Sequence, residues 1–311
     1  MRVSGLSLVF AGSPEAAVPS LRALVASDHR VLGVITREDS PQGRKRVLTA
    51  TPVAAEAERS GVPVVRANRL DARVEAEVER FAPDLGVIVA YGGLVREPLL
   101  SMPKLGWINL HFSLLPRWRG AAPVQRAIIA GDDITGASVF QLVPELDAGD
   151  VFGQMTQPIG AHETAGHLLE SLSYAGAELL VRVVDSIAAG GAVARPQEGD
   201  VSFAPKLSLA EGRIDFAADA VTVLNQVLGV TPEPGAFMTL DGVRVKIHDA
   251  TLARDAAPLP AGQVESQAGR ILVGTASHPL ELLTVQPAGR RSMAAADWWR
   301  GHSGSSQAEL Q

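Results

Sequence analysis

The chain is 311 residues long, 46% hydrophobic and 20% charged, with a formal net charge of −6. That length suggests two domains of roughly 150 residues each, and the acidic balance argues against a protein that coats nucleic acid through bulk positive charge. With no cysteine, a disulfide scaffold, a thiolate nucleophile and a cysteine-held zinc or iron–sulfur site are excluded.

No apolar run reaches the ~18 residues of a membrane span. The first residues lack the long apolar region and cleavage site of a signal peptide. The expectation is a soluble, cytoplasmic protein with no membrane partner. Residues 6–11 (LSLVFA) predict a buried strand closed by Gly12-Ser13-Pro14, with a helix over 15–26. A second strand is predicted at 31–36 and a polar, basic loop at 37–50. A helix near 52–60, a strand at 62–65 and a helix at 71–80 follow. Residues 85–91 (LGVIVAY) are rich in β-branched residues and predict a central strand. Strands are also predicted at 107–111, 137–143 and 151–157, and helices at 122–130 and 164–189. Alternation of strands and helices predicts a Rossmann-like α/β domain with a mostly parallel sheet. Ligands of such sheets sit beyond the carboxyl ends of the strands.

After residue 189 the texture changes. Residues 190–208 read as a linker. A helix at 217–228 and short, evenly spaced strands from 235 to 285 predict a small OB-like β-barrel. The expected domains are therefore 1–189 and 209–311, with the last ten residues frayed.

The strongest chemical constellation is Asn109-Leu110-His111 at a strand end. Residues two apart on a strand share a face, so the amide and imidazole lie side by side. The loop after it, Ser113-Leu114-Leu115-Pro116, is apolar where an ordinary loop is polar. Asp147 lies in a glycine-containing turn, one helix and one strand later, and is expected to return to the same sheet edge. An amide that donates to an oxyanion, a histidine that moves a proton and a carboxylate that holds the ring suit acyl transfer without a covalent intermediate. A structural role is the alternative for each, since Asp suits turns. No Gly-x-Ser-x-Gly elbow supports a serine hydrolase.

These residues also carry a family pattern. Asn109-Leu110-His111-x-Ser113-Leu114-Leu115-Pro116-x-x-Arg119-Gly120, with Leu146-Asp147-x-Gly149-Asp150, resembles the 10-formyltetrahydrofolate-dependent formyltransferases. Gly120-Ala121-Ala122-Pro123, Ala204-Pro205-Lys206-Leu207-Ser208 and Gly289-Arg290-Arg291-Ser292-Met293 are similar to the methionyl-tRNA formyltransferase family within them. The resemblance implies Asn109, His111 and Asp147 as catalytic and Ser113, Leu114, Leu115 and Pro116 as the tetrahydrofolate site, bordered by Tyr91. It implies Arg44, Lys45 and Arg46 as a clamp on the acceptor end of initiator methionyl-tRNA. The implied co-substrate is 10-formyltetrahydrofolate, with no metal, and the implied state is a monomer. Phe112 stands where the family has a small residue, an expected narrowing of the pocket. Glu145 replaces a usual glycine, and Thr231-Pro232-Glu233-Pro234 replaces a usual Asn-Pro-Trp-Pro. The competing readings are a sugar-nucleotide N-formyltransferase with the same triad, a formyltetrahydrofolate hydrolase, and a non-catalytic tRNA-binding module.

Overall fold

The computed structural model describes residues 5–43, 45–302 and 305–309. The chain divides into two compact units. One gathers Met1–Ala121, Thr135–Gln157 and Leu169–Ala204; the other gathers Ala122–Ile134, Pro158–Leu168 and Pro205–Gln311. No helix among the described residues is long and apolar enough to cross a membrane.

The first unit is built on seven strands: β1 (Ser7–Gly12), β2 (Arg30–Thr36), β3 (Val64–Arg66), β4 (Leu85–Val89), β5 (Trp107–His111), β6 (Ile134–Gln141) and β7 (Val151–Pro158). They lie in the order β7-β6-β5-β4-β1-β2-β3. β1 runs parallel to β2 and β4, β2 to β3, and β4 to β5, whereas β6 runs antiparallel to β5. The chain steps outward from β1 through β2 and β3, then crosses back to β4 on the other side. That reversal opens a crevice at the carboxyl ends of β1 and β4. β4 is buried along its whole length, as its apolar run requires.

The helices α1 (Val18–Val25), α2 (Pro52–Arg59), α3 (Ala72–Phe81), α4 (Pro123–Ala130) and α5 (Ala165–Ala188) alternate with these strands. Their starts follow local chemistry. Thr51 caps α2 by accepting the Ala54 amide at 3.0 Å, and Pro52 takes the first helical position. Asp71 caps α3 through the amides of Arg73 and Val74. The basic 37–50 segment, expected as a plain loop, forms a short antiparallel hairpin in which Ser40–Gln42 pairs with Val47–Thr49. Its strands are exposed throughout.

The second unit carries α6 (Ala220–Gly229), capped by Asp219, and five longer strands. These are β8 (Ala236–Leu240), β9 (Val243–Leu252), β10 (Gln263–Gln267), β11 (Arg270–Val273) and β12 (Leu280–Pro287). All pair antiparallel, in the order β8-β9-β12-β11-β10. Ser306–Gln307 adds to β10. Leu240 then bridges Ala308, and the Glu309 amide donates to the Thr239 carbonyl at 2.9 Å. The last strand thereby meets the first and the barrel closes. Within the described 305–309 the tail is a barrel strand rather than the frayed end that its Ser/Gln composition suggested. The short helix α7 (Ala295–Trp299) contacts β11 and β12, with Trp299 buried.

Candidate active site

β5 sets the first half of the site. It lies between β4 and β6, with Asn109 opposite Ile88 and Phe140, and His111 opposite Ser138. A strand held from both sides has little freedom of register. Asn109 and His111 therefore share one face, as their spacing predicted. Leu110 and Phe112 take the other face, toward α5. There Gly176 leaves room: a Cβ on it would stand 3.1 Å from Leu110 Cδ2 and 3.5 Å from Phe112 Cε1. Phe112 thus fills the helix–sheet interface and does not narrow a pocket. The strand reverses every side chain by one residue, so the bulky ring at 112 points away from His111.

His111 is 6% exposed. Its Nε2 lies 2.8 Å from the Trp118 carbonyl, which can only accept. This contact assigns the Nε2–H tautomer to the neutral ring. Its Nδ1 faces Asp147 Oδ2 at 3.8 Å, too long for a direct hydrogen bond. The ring edge also meets Phe140, with centroids 6.5 Å apart and planes 84° apart. The Asn109 amide has no hydrogen-bond partner among the described residues.

The second half of the site is built from loops. The 113–116 segment is held by Ser138, whose hydroxyl donates to the Ser113 carbonyl at 2.6 Å and accepts the Leu115 amide at 3.1 Å. Gln154 adds donors to Ser138 Oγ and to the Leu115 carbonyl. Ser113 is fully buried, and its hydroxyl donates to the Arg117 carbonyl at 2.6 Å. Ser113, Leu115 and Pro116 are packed into the unit, and Leu114, half-buried, is the most open side chain of the segment. Trp118 adopts a φ of +62°, rare for a bulky residue. Its amide donates to Ser202 Oγ at 2.9 Å, which holds it there.

Asp147 sits at a φ of +46° in its turn, a conformation aspartate tolerates. Its Oδ2 accepts the Gly120 amide at 2.8 Å. The turn packs tightly at Gly149, where a Cβ would stand 1.7 Å from the Gln141 carbonyl oxygen. Gln197 completes the turn: its Nε2 donates to the carbonyls of Asp147 and Gly149 at 2.8 and 2.9 Å. Its Oε1 accepts from Arg119 Nε and Nη2. The supposed linker is therefore bonded into the first unit as far as Ala204. Arg195 bridges Val151, and Phe203–Ala204 pairs with Arg119–Gly120. Sequence reading missed Gln197, Ser202, Ser138 and Gln154. Only Ser138 and Gln154 carried a signal, as polar residues inside predicted strands.

Tyr91 and the basic 44–46 run are the other expected groups. The Tyr91 side chain is 2% exposed, and its hydroxyl donates to the Ala67 carbonyl at 2.9 Å. Burial pushes that phenol's pKa up. Tyr91 is a core residue tying 91 to 67, and the carbonyls of Tyr91 and Gly92 accept from Arg37. Lys45 and Arg46 are exposed on the turn of the hairpin, without ion-pair partners among the described residues. Arg44 lies outside the described residues. No group of three or more metal-ligating side chains gathers among the described residues.

This geometry has relatives. Residues 6–184 match the formyl transferase family, and residues 206–303 match the formyl transferase C-terminal domain. A methionyl-tRNA formyltransferase of Clavibacter michiganensis is 63% identical over 296 residues, covering 95% of this chain and 97% of that protein. The chain belongs to the methionyl-tRNA formyltransferase family. A second such relative, from Leifsonia xyli, is 59% identical over 96% of this chain and 98% of its own. Among solved structures, HypX from Aquifex aeolicus in complex with tetrahydrofolic acid aligns with a TM-score of 0.69 at 17% identity. It covers 96% of this chain, which spans 47% of that one. An N-formyltransferase from Helicobacter canadensis aligns with a TM-score of 0.68 at 16% identity, covering 88% and 98%. At such identities the structures show the shared fold.

Proposed function

We propose that this site transfers the formyl group of 10-formyltetrahydrofolate to the amino group of methionyl initiator tRNA, with Asn109, His111 and Asp147 as the reacting set. The observation that carries this reading is the pairing of an Asn109 side-chain amide, without a hydrogen-bond partner among the described residues, with a buried His111 whose Nδ1 faces Asp147. The amine nitrogen attacks the formyl carbon, forming the new C–N bond and an oxyanion. Asn109 Nδ2 donates to that oxyanion. Because the Trp118 carbonyl takes Nε2–H, His111 exchanges protons through Nδ1. The 3.8 Å gap from Nδ1 to Asp147 suits a bridging water better than direct transfer. The proton lost by the attacking amine passes along this relay to N10 of the folate as the old C–N bond breaks. Products are N-formylmethionyl-tRNA and tetrahydrofolate.

The likeness of the 113–116 segment to the family's tetrahydrofolate site, with Leu114 its most open side chain, supports the folate there. The basic hairpin tip, with Lys45 and Arg46, supports a grip on tRNA phosphates, and Arg44 adds a third charge in the sequence beside them. The first unit, which includes the 190–204 stretch, carries the chemistry, and the barrel of the second unit serves the tRNA. The test is to incubate the protein with 10-formyltetrahydrofolate and charged initiator tRNA and follow formylmethionine, with an amino-sugar nucleotide as a parallel acceptor. Transfer to the tRNA alone is expected. Transfer only to the sugar nucleotide overturns the assignment. In the same assay, reversing the charges of Arg44 and Lys45 is expected to weaken tRNA use and leave folate affinity unchanged; equal loss of both contradicts the clamp.

A further inference from the structure

We propose that Gln197, inside the stretch that sequence reading treats as a linker, is a positioning residue for Asp147. The inference rests on the reading that Asp147 takes part in the reaction. Asp147 holds a left-handed backbone in a turn that Gly149 already packs against the Gln141 carbonyl. Carbonyls in such a turn need donors when they leave regular structure. Gln197 supplies both, with one amide nitrogen reaching the carbonyls of Asp147 and Gly149. Its own orientation is fixed from behind, because the Arg119 guanidinium donates twice to its Oε1. A guanidinium has no acceptor, so the amide cannot flip without placing –NH2 against a cation. The contact is thus directional: Arg119 sets the Gln197 amide, the amide sets the turn, and the turn aims Oδ2 at the Gly120 amide and toward His111 Nδ1. Seven residues before Ala204, this strap fixes a carboxylate that lies 50 residues earlier in the chain.

The experiment is a kinetic cycle on the full chain with Gln197→Met, Asp147→Ala and the double variant. Methionine keeps the side-chain length and removes every hydrogen bond. Gln197→Glu is the second variant, since a carboxylate keeps the Arg119 contact and lacks the two donors. The kcat of Gln197→Met is expected to fall about 10- to 100-fold, the scale of a roughly 1 Å misplacement. KM for the folate and for tRNA should change far less. Gln197→Glu should be as slow as Gln197→Met. In the double variant, Gln197→Met should add almost nothing to the loss from Asp147→Ala. Normal kcat in Gln197→Met beside a slow Asp147→Ala overturns the role of Gln197 alone, as does full additivity. Normal turnover in Asp147→Ala overturns the underlying reading and the positioning role with it.

Discussion

The two halves of the site are held by different physics. Asn109 and His111 stand on a strand paired on both sides, so backbone ladders set their places. Asp147 and the Trp118 carbonyl stand on loops with left-handed residues, so side chains distant in sequence set theirs. The strand half fixes which groups share a face. The loop half fixes how the imidazole is protonated and where the carboxylate aims. A site divided this way loses chemistry from either half, but loses geometry only from the loops.

The sharpest tests remove the groups proposed to react. His111→Ala and Asp147→Ala are each expected to lower turnover by about 10²-fold or more; near-normal turnover in either removes it from the reacting set. The next effect comes from the backbone of the loop half. Gly149→Ala drives a Cβ into the Gln141 carbonyl, so the Asp147 turn must shift, and a turnover loss of about 10-fold is expected. Measuring KM beside kcat separates that shift from a loss of binding. On the strand half the expectation reverses. Phe112→Ala should cost about 3–5 kcal/mol of stability by opening a cavity toward α5 while turnover stays nearly unchanged, read by urea melts beside the transfer assay. A large turnover loss there would mean that the two faces of β5 are coupled.

The smallest effect is a pH dependence at the start of β1. The Lys104 ammonium and the Ser7 amide both bond the Asp84 carboxylate and hold its pKa below the ordinary value. A lowered folded pKa gives stability that is present above the unfolded pKa, about 3.9, and is lost as pH falls through the folded value. Asp84→Asn should therefore flatten the acid limb of the stability curve below about pH 4 and leave neutral turnover alone.

This division also explains what the sequence revealed. Alternation along 107–112 placed Asn109 and His111 on one face, and Phe112 misled only because strand parity was not carried one residue further. The strand–helix order marked the sheet, and the glycine turn marked Asp147. What local pattern missed are contacts of long reach. Gln197 acts 50 residues away and Ser202 acts 84 residues away from Trp118, in a segment whose Pro and Gly content looks like a linker. Tyr91 shows the converse: a residue beside a strand end looks like a pocket wall until its hydroxyl is found on Ala67. At the tail, Ser306–Gln307 pairs only because the barrel brings β10 beside it, which composition cannot show.

The division of labour around His111 is tested most directly by nitrogen-15 NMR of the histidine ring at a pH where it is neutral. The expected spectrum has Nε2 protonated and Nδ1 bare, because the Trp118 carbonyl takes the Nε2 proton and Asp147 is left to exchange protons at Nδ1. A neutral ring protonated at Nδ1 would instead make Asp147 the group that fixes the tautomer, and would contradict the account.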